Sequence, residues 1–154
     1  MAKTVPYPKR PQAASPRTKM QLLPMRRSSA DQISLQVHIA LDAMRRGKGC
    51  TAATQTLCQT MILVGFLSEL GYGTATHEQI RDAESVISTA FDRGRDSGDW
   101  YFDDDGFRQF AVIVTTYDFQ LQRAPMFAVG EASIRFDRFC AGESFAQIAR
   151  SGRR

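Results

Sequence analysis

Residues 51–70 read TAATQTLCQTMILVGFLSEL, and this stretch decides the fold. Thr51 is a candidate N-cap, because its hydroxyl can accept from an unpaired amide of a first helical turn. Leu57, Met61, Val64 and Leu67 follow at steps of four, three and three, the spacing of one helical face. Ile62, Leu63 and Phe66 widen that face until little polar surface remains, so partners must cover more than one side. Gly71 stands where a left-handed residue ends a helix. The unbroken apolar run 61–67 falls far short of the ~20 residues that span a bilayer. The stretch therefore predicts a central, buried helix.

Amphipathic segments lie on both sides of it. Residues 30–46 carry Ile33, Val37, Ala40, Leu41 and Met44 on one face, with Ser29 as a cap and Asp31 at the positive helix end. A third helix is predicted over 76–93, where Thr76 and Gln79 have capping-box spacing and Ile80, Ala83, Ile87, Ala90 and Phe91 make the stripe. A fourth, over 106–123, has Phe107, Phe110, Val114, Tyr117 and Leu121 inward and stops at Pro125. A fifth over 129–140 carries Ile134 with Phe136 or Phe139, and a last turn over 143–150 puts Phe145 and Ile148 on one side. The predicted fold is all-α, a compact bundle of five or six helices within residues 30–150.

Charge divides the chain. Before Ala30 there are seven basic residues and no acidic ones, so all 16 acidic residues face the remaining 13 basic ones, a net of −3. Residues 1–29 also hold five of the six prolines, which deny helix to the residues before them. They are expected to form a disordered basic arm, with a small basic end at 151–154. Such an arm is either a solubilising leader that binds nothing or an attractor of polyanions, for which Lys9, Arg10, Arg17, Lys19, Arg26 and Arg27 are candidate phosphate contacts, joined by Arg45, Arg46 and Lys48 after the first helix. The ordinary account of Arg45 and Arg46 is as cations at a helix C-terminus. The carboxylates at 96, 99 and 103–105 are expected at the positive start of the fourth helix, with docking of the chain's own arm as a further possibility.

Chemical motifs are absent where they would be diagnostic. The segment 94–98 reads GRDSG, with Ser97 one place out of register for a nucleophile elbow. No Walker loop occurs, and aligning 103–106 with a calcium loop puts Tyr101 and Val112 at its first and last ligand positions. Two histidines and three scattered cysteines make no metal framework. His38, flanked by Val37 and Ile39, reads as a packed, hydrogen-bonded residue. No catalytic residue, metal or other cofactor is assigned. The odd number of cysteines, Cys50, Cys58 and Cys140, favours reduced thiols and a cytoplasmic location. The 68–91 segment forms a poor helix-turn-helix, since its second helix exposes Glu78, Asp82 and Glu84 to any phosphate.

At 7–12 (YPKRPQ), 56–73 (TLCQTMILVGFLSELGYG), 91–100 (FDRGRDSGDW) and 114–125 (VTTYDFQLQRAP), the chain resembles a group of short β-proteobacterial proteins labelled Fis-family transcriptional regulators. The resemblance implies a bacterial cytosolic helical protein linked to gene regulation. Fis proteins carry a C-terminal helix-turn-helix with a basic second helix; the matching position here reads GESFAQIARSGRR, so no DNA-contacting residue carries over. Two functions are expected. One is a non-catalytic, nucleic-acid-associated accessory protein that binds DNA or RNA through its arm, non-specifically and salt-sensitively. The alternative is a helical protein–protein adaptor or homo-oligomer.

Overall fold

The computed structural model describes residues 16–144 and 146–148. Five α-helices follow a single 3-10 turn at Lys19–Leu22: α1 Arg27–Arg45, α2 Thr51–Glu69, α3 His77–Ser97, α4 Asp104–Arg123 and α5 Met126–Cys140. There is no strand among the described residues, and the fold is an all-α bundle. No helix among the described residues is long and apolar enough to cross a membrane.

The helix over 51–70 is the hub, packing against α1, α3, α4 and α5. Leu57, Val64 and Phe66 are fully buried, with Leu67 and Met61 close to it. Its start differs from expectation. Cys50, in extended conformation, is the cap residue and makes no side-chain cap bond, while Thr51 is already helical. Its end is as expected. Gly71 adopts φ +92°, its amide donates to the Ser68 carbonyl, and the Tyr72 amide donates to that of Leu67. These two bonds satisfy carbonyls that an abrupt end would leave unpaired.

Other boundaries move for local reasons. The first helix begins at Arg27, with Arg26 rather than Ser29 as its cap residue, because nothing beyond Pro24 and Met25 prevents helix. The third helix is capped by Thr76 and Gln79 in a reciprocal box and continues to Ser97, through Gly94, because Gly98 is the left-handed residue that stops it. The fourth is capped by Asp103, whose side chain accepts from the Gly106 amide at 2.7 Å. The fifth begins at Met126, directly after Pro125, a residue suited to a helix start. Its phase is also corrected. Ile134 is 56% exposed, and the inward positions are Ala128, Ala132 and Arg135. Two alanines let α5 approach α2 closely, and Arg135 reaches Glu131 at 3.0 Å and Glu69 of α2 at 3.6 Å.

The expected arm divides. Residues 1–15, with Lys9 and Arg10, lie outside the described residues, as do Phe145 and 149–154. Residues 16–26 lie against the start of α5 instead of being free: Pro24 bridges Pro125, and the Met126 amide donates to the Leu23 carbonyl at 2.9 Å. Ser144 and Gln147 cap a terminal turn that buries Ile148.

A second contact ties the helix ends. The Gly49 amide donates to the Trp100 carbonyl and the Phe102 amide to that of Met44, so the 99–103 segment closes over the α1–α2 turn. Trp100 meets Phe91 edge-on at 5.5 Å, and its indole lies directly over Gly94.

Candidate interaction face

The basic residues do not form one patch. Arg17 stacks on Phe127 of α5 with its guanidinium carbon 3.8 Å from the ring centre, and Lys19 is exposed in the 3-10 turn. Arg26 and Arg27 stand at the start of α1, whereas Arg45, Arg46 and Lys48 stand at its end, about 28 Å away for a helix of 19 residues. Several are already engaged. Arg27 lies 3.9 Å from Asp31, Arg46 pairs with Asp42 at 2.8 Å, and Arg45 packs over Phe107 of α4. Of the 20 Lys and Arg residues, 14 belong to the described part, against all 16 acidic ones, which leaves it net −2. The carboxylates of 96–105 do not receive residues 16–26. Asp103 caps α4, Asp105 pairs with Arg108, Asp96 pairs with Arg95, and Asp99 accepts from Ser97. Ser97 Oγ lies near both the Arg93 carbonyl and Asp99, within a helix terminus rather than at an exposed elbow.

Among the described residues no three His, Cys, Asp or Glu side chains gather as a metal site. His38 does find a partner: its Nε2 lies 2.7 Å from Asp118 of α4, which also accepts from Ser34 Oγ at 2.6 Å. The pair is on the surface, the His38 side chain being half exposed. Cys50, Cys58 and Cys140 are unpaired. Burial, with the nearby Cys140 and Glu84 charges, pushes the Cys58 thiol up. Burial alone pushes Tyr117 up to about 12.

The outward side of α1 and α4 carries large apolar side chains in the open, as Met20, Leu22, Leu23 and Met126 also do around the 3-10 turn and the start of α5. Leu35 and Ile39 on α1 are each 60% exposed, and Val112 and Phe119 on α4 are 42% and 47% exposed. On α1 the inward residues are Ala30, Val37, Leu41 and Met44, so Leu35 and Ile39, one turn apart, point nearly the opposite way. On α4 the same holds for Val112 and Phe119 against Phe110, Val114, Tyr117 and Leu121. The two helices are antiparallel neighbours, with Ser34 bonded to Asp118 at one end and Arg45 over Phe107 at the other. These two contacts fix the levels along the bundle. Leu35 lies near the level of Phe119, and Ile39 near that of Val112. Asp31 and Arg123 flank this apolar band at one end, Asp42 and Arg108 at the other. Arg123 lies over the Phe119 ring at 3.6 Å, and Arg108, bonded to Asp105, is held above its usual range by that bond.

No family model, curated protein or solved structure matches the chain.

Two concavities lie between the helices. A cleft of about 340 Å³ between α1 and α5 is floored by α2 and α4, with Val37, Leu63, Leu67, Tyr117 and Leu121 among its walls. A smaller one of about 160 Å³ lies where α3 meets the start of α4, beside Arg93, Tyr101 and Asp103. The ionisable residues of the smaller one are engaged within the chain: Arg93 donates to the Tyr101 carbonyl, Asp103 caps α4 and Asp105 pairs with Arg108. The interior holds one buried amide, Gln120, whose Nε2 lies 2.7 Å from the Tyr72 carbonyl, 3.1 Å from Ser68 Oγ and 3.2 Å from the Val64 carbonyl. It locks α4 to the end of α2.

The basic, capping and core residues were approachable from sequence, but the outward band was not singled out. Its signal was present: Leu35 and Ile39 recur at helical spacing on the polar side of an amphipathic pattern, where a solvated face carries charge.

Proposed function

We propose that this protein is a non-catalytic helical interaction module that binds a protein partner through the outward face of α1 and α4. One observation carries the reading. Four large apolar side chains, Leu35, Ile39, Val112 and Phe119, lie exposed in one band on two adjacent helices. Exposed apolar residues scattered singly need no account, but four on the outward side of two packed helices, with charges at both ends, match the anatomy of a protein–protein interface. The exposed, unpaired Cys50 and Cys140 fit a reducing, cytoplasmic setting.

The test is photocrosslinking in the cells that express the full chain, with benzoylphenylalanine in place of Phe119 or, as a control, of Asp82 on the exposed side of α3. Protein adducts at 119 and none at 82 are expected. Equal labelling at both positions, or none at 119, refutes the reading.

A nucleic-acid role is favoured by a different observation. Lys19, Arg26 and Lys48 are exposed with no ion-pair partner among the described residues, and six more basic residues lie in 1–15 and 149–154. In this reading Lys9, Arg10, Arg17, Lys19, Arg26 and Arg27, with Arg45, Arg46 and Lys48, meet phosphates without sequence preference, as a regulator-like DNA-binding accessory would. Duplex binding that falls steeply with salt and is lost on deleting residues 1–15 supports it; no binding at low salt rejects it.

A further inference from the structure

We infer that the partner of the α1–α4 face is a second copy of this chain, in a twofold dimer whose axis runs parallel to the helices. The inference rests on the reading of that face as an interface and names its occupant. Two such faces can stack in two ways. With the axis across the helices, α1 meets α1 of the partner copy antiparallel. Seating Leu35 on the Ile39 position then sets Asp31 against the Asp42 position, carboxylate on carboxylate. Seating Val112 on the Phe119 position of the paired α4 helices likewise sets Arg108 against Arg123, cation on cation. With the axis along the helices, α1 lies instead over α4 of the partner copy, antiparallel to it and at unchanged levels. Leu35 and Ile39 then meet the Phe119 and Val112 positions, Asp31 meets the Arg123 position, and Asp42 meets the Arg108 position.

Charge thus selects one arrangement and rejects the other. An isologous interface repeats each pair, so the two kinds of pair give the dimer four oppositely charged pairs around an apolar centre. The intrachain contacts of these groups do not oppose the exchange. Asp31 and Arg27 are 3.9 Å apart with side chains 64% and 93% exposed, and the Asp42–Arg46 and Arg108–Asp105 pairs are likewise on the surface, with the Arg46 and Asp105 positions near one another across the twofold. The product is a four-helix interface made of two helix pairs. A face about 20 Å wide and 28 Å long buries about 1,100 Å² over both copies, at the lower limit for a specific complex. The dimer is therefore weak and reversible, forming at micromolar concentration or above.

The test is sedimentation velocity on the full chain from about 1 µM to about 500 µM, with Asp42→Arg, Arg108→Asp and the double exchange. Melting by circular dichroism checks that each variant is folded. The wild type is expected to pass from monomer to dimer. Each single exchange should weaken dimerisation at least tenfold, and the double exchange should restore it, since it rebuilds both pairs with reversed polarity. A chain monomeric throughout, or a dimer indifferent to all three exchanges, overturns the inference. So does a dimer tightened by Asp42→Arg, the signature of the rejected arrangement, in which residue 42 meets Asp31. Crosslinking at residue 119 separates the two readings. A monomeric chain that still crosslinks another protein there loses the second copy but keeps the interface, whereas one that crosslinks nothing loses both.

Discussion

Gly94→Ala sets two physical effects of opposite sign against each other. Gly94 lies inside α3, where alanine is the better helix former by about 1 kcal/mol, so propensity alone predicts a more stable protein. Packing predicts the reverse. A Cβ on Gly94 would sit 2.2 Å from Trp100 Cδ2, 2.3 Å from Cε2 and 2.4 Å from Cε3. Ordinary carbon–carbon contact needs roughly 3.5 Å or more, so the indole would have to withdraw by more than an ångström. That shift strains a packed site, for about 1–3 kcal/mol, and disrupts the edge-on contact with Phe91, for about 0.5–1.5 kcal/mol. The ring cannot retreat freely, because the Trp100 carbonyl is bonded to the Gly49 amide. The net expectation is destabilisation of about 2 kcal/mol, or roughly 4–8 °C in Tm for a chain of this size. Trp100 is the only tryptophan, so its emission in urea reports both stability and position. A lower midpoint with a red-shifted folded-state emission is expected. A Gly94→Ala protein with unchanged emission and a raised midpoint would refute the packing argument and leave propensity in control.

Further predictions address other contacts. Gln120→Glu places a carboxyl against the Val64 and Tyr72 carbonyls, where only its neutral form can donate. The folded protein then holds that carboxyl above its unfolded value of about 4.3, so stability is retained below that pH and lost as pH rises through the folded value. Chemical denaturation at pH 4 and pH 7 should show the variant closer to wild type at the lower pH. Tyr117, buried and pushed up to about 12, favours the neutral phenol in the fold. Stability should fall between about pH 10 and pH 12, less so in Tyr117→Phe, and the difference in phenolate absorbance between the two proteins should locate the late titration. Arg135→Met removes the tie between α5 and both Glu131 and Glu69. Because those carboxylates are partly solvated, the loss should be about 1–2 kcal/mol by denaturation, well below that for a fully enclosed pair. Cys58, half-buried and with its thiol pushed up, should react with a thiol reagent more slowly than exposed Cys50 at neutral pH.

Much of the fold was legible because it is local. The period of Leu57, Met61, Val64 and Leu67, the glycine at 71 and the Thr76–Gln79 box each act within a few residues, and each appears where the sequence puts it. Asp103 likewise caps α4 from one turn away. What escaped was set by distant partners. The 3-10 turn and Pro24 lie against α5 through a bond to Met126, more than a hundred residues on, so proline content alone read as disorder. Ile134 was expected inward, but Arg135 takes that side because it reaches Glu69 of α2, which a hydrophobicity pattern cannot register. His38 and Asp118 meet only because α1 and α4 pair antiparallel. Arg17, Lys19, Arg26, Arg27, Arg45, Arg46 and Lys48 are exposed, yet the length of α1 separates Arg26 and Arg27 from Arg45, Arg46 and Lys48.

The central claim is that the α1–α4 face is covered by a partner of matching chemistry, and methyl NMR with a soluble paramagnetic agent tests it most directly. Dilute protein should show Leu35, Ile39 and Val112 methyls strongly broadened, alongside those of Leu22 and Ile134, which are exposed elsewhere. On concentrating the sample, protection should appear at Leu35, Ile39 and Val112 while Leu22 and Ile134 remain broadened. Equal broadening of all five at every concentration, in a chain that also crosslinks nothing at residue 119, would contradict the account.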